Sequence, residues 1–170
     1  MKINLKNYIQ SRLKLTMEKV LFSHKKDEYI TPKYLFDELN FYYNFYTDPC
    51  TTPDNPLGCK LFFTKETDGL IFKKWVGNVF INPPYGRNIG KWTDVAGLYS
   101  IFNKDKTVVM LLPARTDTRW FQQLLDMKNT KFYFISGRLQ FRNTEYKAPF
   151  PSVLVFFNDF IHEDRLVINL

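Results

Sequence analysis

Val79-Phe80-Ile81-Asn82-Pro83-Pro84-Tyr85 decides the reading of this chain: an apolar triplet, then an amide, two prolines and an aromatic ring. The triplet has the composition of a buried strand. Two consecutive prolines fix the backbone and remove two N–H donors, so the strand stops there and the carbonyls around it point outward unclaimed. Such a corner can hold a planar amino group. Asn82 and a backbone carbonyl accept its two hydrogens, while Tyr85 stacks on the attached ring. The same residues also read as a corner that merely turns the chain. The strand in front, Gly86 behind and matching motifs elsewhere favour the binding corner.

Downstream, residues 91–102 read as a helix, and the apolar run 107–112, capped by Pro113, reads as a central parallel strand buried on both faces. Residues 116–127 follow as a helix with Trp120, Phe121, Leu124 and Leu125 as its buried stripe. Two more strands are predicted at 131–135 and 153–157, separated by the Gly137-Arg138 turn and a proline-bounded loop. Upstream, Thr31-Pro32 opens a helix, the threonine as cap and the proline at the first helical position. The aromatic run 41–47 reads as a strand ending at Asp48-Pro49, residues 51–59 as a loop, 60–63 as a short strand and Asp68-Gly69 as a turn. Alternating strands and helices predict an α/β sheet, mostly parallel, finished by an antiparallel hairpin. Ligands in such sheets bind beyond the carboxyl ends of strands, where Asp48, Asn82 and 113–115 fall.

The remaining features set the class. With 170 residues and 45% hydrophobic side chains, the chain holds enough apolar mass for one real core. Within residues 1–28, Leu5, Tyr8, Ile9, Leu13, Met17 and Leu21 recur at helical spacing, and seven basic against three acidic side chains supply four of the seven net positive charges. This basic amphipathic helix is either a solvated face docked on the core or an arm that touches phosphates or a partner. The expected organisation is therefore an arm, 1–28, ahead of a domain, 29–170; the protein is a monomer or a dimer through that helix. A polyanionic partner fits the net charge of +7. No stretch approaches membrane-spanning length, and the N-terminus lacks a signal-peptide core. Cys50 and Cys59 are too few for a disulfide framework, which points to a reduced, cytoplasmic setting. No metal is expected, because no Cys or His pair has ligand spacing. Phosphate-loop and nucleophile-elbow motifs are absent from the sequence.

Several short motifs then carry a resemblance. They are 29–32 (Tyr29-Ile30-Thr31-Pro32), Asp48-Pro49-Cys50-Thr51 with Asn55, and Asp68-Gly69-Leu70 ahead of Trp75. The proline corner with Gly86 comes next, then 112–118 from Leu112 to Thr118, Gly137-Arg138-Leu139 with Phe141, and Ala148-Pro149-Phe150-Pro151-Ser152. In this order and spacing, from residue 29 to 158, the chain resembles a phage-type DNA N6-adenine methyltransferase of the Dam family. Residues 1–28 lie outside the resemblance and inherit nothing from it.

The resemblance implies S-adenosylmethionine as cofactor and an adenine-containing site in double-stranded DNA as substrate. The exocyclic nitrogen of adenine is a poor nucleophile because its lone pair is delocalised into the ring. Accepting both of its hydrogens, on Asn82 Oδ1 and the Pro83 carbonyl, favours the geometry that frees that pair. Pro84 locks the corner, and Tyr85 is the platform for a base extruded from the duplex. Tyr29, Thr31 and Pro32 are implied at the methionine end of the cofactor, with the Thr31 hydroxyl or a nearby amide on its carboxylate. Asp48, with Pro49 and Cys50, stands where the family's first cofactor motif sits, either pairing the ammonium group or opening an ordinary Asx-turn. Asp68 either binds the adenosine portion or forms a plain Asp-Gly turn. Arg115, Arg138 and Phe141 are the implied DNA contacts. Thr51-Thr52-Pro53 replaces the usual glycine-rich turn, and only 34 positions separate Asp48 from Asn82, so a trimmed Rossmann-like sheet is expected. RNA adenine or a glutamine side-chain amide as substrate, a catalytically silent DNA-binding role, and a small regulatory or interaction domain whose proline corner is structural are the rival readings.

Overall fold

The computed structural model describes residues 28–159. The expected N-terminal helix lies outside the described residues. The elements run α1 (Lys33–Tyr43), β1 (Thr47–Asp48), β2 (Leu61–Phe62), a 3-10 turn (Phe72–Lys74), β3 (Val79–Ile81), α2 (Ile89–Phe102), β4 (Val108–Pro113), α3 (Arg119–Leu125), β5 (Thr130–Phe134) and β6 (Ser152–Phe157). The six strands form one sheet in the order β2-β1-β3-β4-β6-β5. The pairs β1–β2, β1–β3 and β3–β4 are parallel, whereas β6 runs antiparallel to both β4 and β5. This mixed α/β arrangement is consistent with a Rossmann-like sheet, with the antiparallel pair where the sequence put a hairpin.

All six residues of β4 and of β6 are buried, as an unbroken apolar run in a covered strand requires. Register puts Phe80 beside Val109 and Val109 beside Phe156, so these three share a face. Helix α1 packs on that face: the Phe36 ring meets Phe80 edge-on at 5.2 Å and Tyr43 lies 5.5 Å from Phe156. Phe157 points the opposite way and approaches Gly97 of α2. Helices therefore cover both faces of the sheet.

Two local readings are corrected. Residues 41–43 are the last turn of α1 and not a strand, and only Thr47–Asp48 pairs in the sheet. Aromatic content suggested extension, but Leu35, Phe36, Leu39 and Tyr43 make a helical stripe that buries well, leaving Phe41 82% exposed. Asn44, left-handed at φ 46°, then ends the helix, donating its N–H to the Asn40 carbonyl, while Asn40 Oδ1 accepts from the Phe45 N–H. The second correction concerns the start of α1. The N-cap is Pro32, whose carbonyl accepts from the Phe36 N–H, and no side chain caps the helix. Thr31 does not cap; its hydroxyl is used elsewhere.

Candidate active site

Parallel pairing of β1 with β3, Thr47 beside Val79, brings their carboxyl ends to one edge of the sheet. Asp48 is the last residue of β1 and Asn82 follows the last residue of β3, so each strand delivers one polar side chain there. A cavity of about 720 Å³ opens at this edge. Its walls are residues 28–31, residues 48–53, the loop bearing Thr64, Asp68 and Gly69, the Asn82-Pro83-Pro84 corner, and Asn88 and Trp92 around the start of α2.

Asn82 is the most constrained group in it. Its Nδ2 donates to the Tyr29 carbonyl at 2.5 Å and to the Thr31 hydroxyl oxygen at 2.9 Å. A carbonyl only accepts, so the amide nitrogen must face Tyr29 and the orientation of the side chain is fixed. Oδ1 is buried and has no hydrogen-bond partner. Leaving such an oxygen unpaired costs about 1–3 kcal/mol. The cavity wall thus holds one oriented acceptor with no partner of its own.

The strap that carries Tyr29 and Thr31 is tied down from across the chain. Ile30 N–H donates to Asn143 Oδ1 at 3.0 Å, Arg142 N–H donates to the Ile30 carbonyl at 3.0 Å, and Asn143 Nδ2 donates to the Glu28 carbonyl at 3.0 Å. Sequence reasoning missed Asn143, because a contact across 113 positions leaves no local signal. It missed Trp92 as well, although Ile89, Trp92, Thr93 and Ala96 have the spacing of one buried helical stripe directly after the corner.

Tyr85 is only 3% exposed, and its hydroxyl donates to the Leu111 carbonyl at 3.2 Å. Tyr29 stacks on its ring, with centroids 5.3 Å apart and planes 26° apart, while Phe150 and Phe141 meet it edge-on. The aromatic residues that line the cavity are therefore Tyr29 and Trp92, and Tyr85 and Phe141 pack behind Tyr29. Arg115 Nη1 donates to the Tyr85 carbonyl at 3.3 Å, outside the cavity wall. Arg138 is exposed, and its Nη1 donates to the carbonyl of its neighbour Gly137 at 3.3 Å.

Asp48 is 3% exposed, and burial pushes its carboxyl up to about 7 against the opposing hydrogen bonds from the Cys50 N–H and the Thr51 hydroxyl. The Cys50 N–H bond, at 3.2 Å, closes the Asx-turn. Among the described residues, no Lys, Arg or His pairs with this carboxylate. Cys50, beside it on the cavity wall, is held neutral because desolvation raises its thiol well above the ordinary value. Asp68 has a left-handed φ of 49° and accepts from the Leu70 N–H at 3.2 Å, an Asx-turn whose residues reach the cavity rim. Next to it, a Cβ on Gly69 would overlap the Pro49 carbonyl oxygen, so only glycine lets these two cavity loops touch. Pro49, buried at the end of β1, is a rigid part of the wall, whereas Pro32, buried at the start of α1, lies outside it. No group of three or more His, Cys, Asp or Glu among the described residues is placed to hold a metal ion.

The geometry defines a sheet-edge cavity that joins an oriented amide acceptor, an aromatic floor and a buried carboxylate lacking a countercharge. The sequence profile of the family described as DNA N-6-adenine-methyltransferase (Dam) matches residues 19–169. The match begins upstream of Tyr29, inside the stretch that the motif resemblance left out. The chain is 31% identical over 123 residues to a DNA N-6-adenine-methyltransferase of Haemophilus phage HP1 (strain HP1c1), covering 71% of this chain and 69% of that protein. This chain belongs to the DNA N-6-adenine-methyltransferase (Dam) family.

Proposed function

We propose that the protein transfers a methyl group from S-adenosylmethionine to N6 of an adenine extruded from duplex DNA. One observation carries the reading: Asn82 lines the cavity, and its Oδ1 is buried, oriented and unpartnered. The cofactor fits the residues present, since the buried Asp48 carboxylate lacks a cation and an ammonium group would supply one. Asp48, the strap at Tyr29 and Thr31, Pro32, Pro49 and Cys50 would hold its amino-acid end, and the Asp68 turn its adenosine end. When bound, it supplies an electrophilic methyl carbon on a sulfonium sulfur, which leaves as a neutral thioether with the electrons of the broken bond.

The chain's own part is positioning and charge stabilisation. Asn82 Oδ1 accepts one N6 hydrogen and the Pro83 carbonyl accepts the other, which turns the nitrogen lone pair toward the methyl carbon. As the C–N bond forms, these two oxygens stabilise the positive charge gained by N6, and the surplus proton passes to water. Pro84 keeps the corner from relaxing. Tyr85 is the stacking floor, available once the Tyr29 ring rotates off it; the Tyr29 carbonyl can stay on Asn82 while the ring moves. Arg115 and Arg138 contact the DNA strand, with Phe141 supporting the aromatic floor. No described helix is long and apolar enough to cross a membrane, and we place the activity in the cytoplasm of a bacterial host.

The test is to incubate the protein with S-adenosylmethionine and adenine-containing DNA, RNA and protein pools, then digest each and seek methylated products by mass spectrometry. N6-methyladenine in DNA is the expected result. Label confined to RNA adenine or to glutamine amides would overturn the substrate, and duplex binding without any product would mark a silent relative.

A further inference from the structure

We propose that Thr31 is a positioning residue for the catalytic amide, its hydroxyl oxygen holding Asn82 so that Oδ1 faces the target nitrogen. This rests on the methyl-transfer reading and deepens it, by moving the Thr31 hydroxyl from the cofactor to Asn82. Three observations carry it. Thr31 is 3% exposed, so its hydroxyl needs a partner inside the protein, and it accepts from Asn82 Nδ2 at 2.9 Å. The obvious alternative use for a threonine at this place, capping α1, is not made, because Pro32 is the N-cap and no side chain closes the helix end. Finally, the second Nδ2 hydrogen goes to the Tyr29 carbonyl at 2.5 Å, two residues back on the same strap, and Oδ1 is left without a partner.

The physical consequence is a two-point clamp. With one acceptor only, the amide would be free to tilt about its last torsion, which is broad and weakly restrained by intrinsic preference. With two acceptors, both N–H groups are committed and the oxygen is held in one place. An acceptor that must meet a developing positive charge gains most when it needs no reorientation at the moment of reaction. The strap that supplies both acceptors is itself pinned by Asn143 and the Arg142 N–H, so the clamp is anchored from the far end of the chain.

Thr31→Val keeps the shape and removes the hydroxyl acceptor; Thr31→Ser keeps the acceptor. Methyl transfer at saturating S-adenosylmethionine and DNA, cofactor affinity by calorimetry, and the Asn82 side-chain amide signals by 15N NMR are measured in all three proteins. Thr31→Val is expected to lower kcat about tenfold to a hundredfold with cofactor affinity little changed, and Thr31→Ser to restore most of it. The Asn82 side-chain hydrogens should exchange with solvent faster in the valine variant than in wild type or the serine variant. Should Thr31→Val lose cofactor affinity and keep kcat at saturation, the hydroxyl serves the cofactor and the positioning role is wrong. Unchanged exchange at the Asn82 amide would also overturn it, and this readout needs no activity. If the wild type forms no methyladenine, the methyl-transfer reading fails on its own, while the exchange measurement still decides the clamp.

Discussion

The two ends of β3 each carry an asparagine, and they are built for opposite purposes. Asn78, just ahead of the strand, is satisfied at both ends of its amide: Nδ2 donates to the Tyr43 carbonyl at 2.5 Å and Oδ1 accepts from the Thr107 N–H at 2.9 Å. Its backbone carbonyl also accepts from the Tyr46 and Thr47 N–H groups. It staples α1, β1 and β4 together at the amino edge. Asn82, just past the strand, has its donors satisfied and its acceptor left bare. Only three residues separate them, so the difference does not come from the strand itself. It comes from what the chain brings to each edge: an N–H donor reaches the Asn78 side-chain oxygen at the amino edge, whereas at the carboxyl edge two prolines without donors follow Asn82 and the strap accepts from its Nδ2. A complete network makes structure, and an incomplete one makes a site.

The largest expected effect separates the two directly. Asn82→Ala should lower turnover by about 10²–10³-fold with a smaller loss of melting temperature than Asn78→Ala, because loss of the Nδ2 bonds to Tyr29 and Thr31 is offset in part by removal of the buried, unpartnered Oδ1. Asn78→Ala should do the reverse. It leaves the Thr107 N–H and the Tyr43 carbonyl unpaired, and a melting temperature lower by roughly 4–10 °C is expected by circular dichroism.

Asp48 sharpens the contrast, since it too is a buried polar group without its complement. Its folded pKa, about 7, lies above the unfolded carboxylate value, so the folded state binds the proton more tightly. Stability of the ligand-free protein should therefore fall as pH rises from about 4 to about 7 and then level off. Asp48→Asn removes that penalty: its melting temperature should exceed the wild type's at pH 8, with the gap closing by pH 4. The same variant should bind S-adenosylmethionine at least about tenfold more weakly at pH 8 by calorimetry, and wild-type affinity should weaken as pH drops below 7.

Gly69→Ala should have a middling effect confined to the carboxyl edge. Relief of the overlap with the Pro49 carbonyl separates the two cavity loops, so cofactor affinity should drop more than melting temperature does. The smallest effect is expected at Arg138, which is exposed. Arg138→Ala should weaken duplex binding uniformly across sequences and reduce the slope of log affinity against log salt by about one.

Much of this edge was legible beforehand because its signals are local. A proline pair ends a strand wherever it stands, and an Asp-Pro or Asn-Pro at a strand end marks a carboxyl edge without help from the rest of the chain. Strands β4 and β6 were equally plain, being unbroken apolar runs. What escaped was tertiary. The aromatic run that begins in the last turn of α1 fits either a strand or a helix, and the choice fell to the stripe of Leu35, Phe36, Leu39 and Tyr43 on the sheet. Thr31 had a perfectly good local use as a cap, displaced by a hydrogen bond 51 positions away. The burial of Tyr85 beneath Tyr29 depends on the strap being tied to Asn143, which no spacing rule encodes.

The claim that Asn82 Oδ1 receives the amino group of the target base is tested most directly by deleting each partner in turn. Binding of an adenine-rich duplex, and of the same duplex carrying 2′-deoxynebularine (purine without the amino group), is measured for wild type and Asn82→Ala with S-adenosylhomocysteine saturating. Loss of the amino group should weaken the wild type and leave the variant unaffected, since the partner is already gone. An equal loss in both proteins would show that the amino group is recognised elsewhere and would contradict the role assigned to this amide.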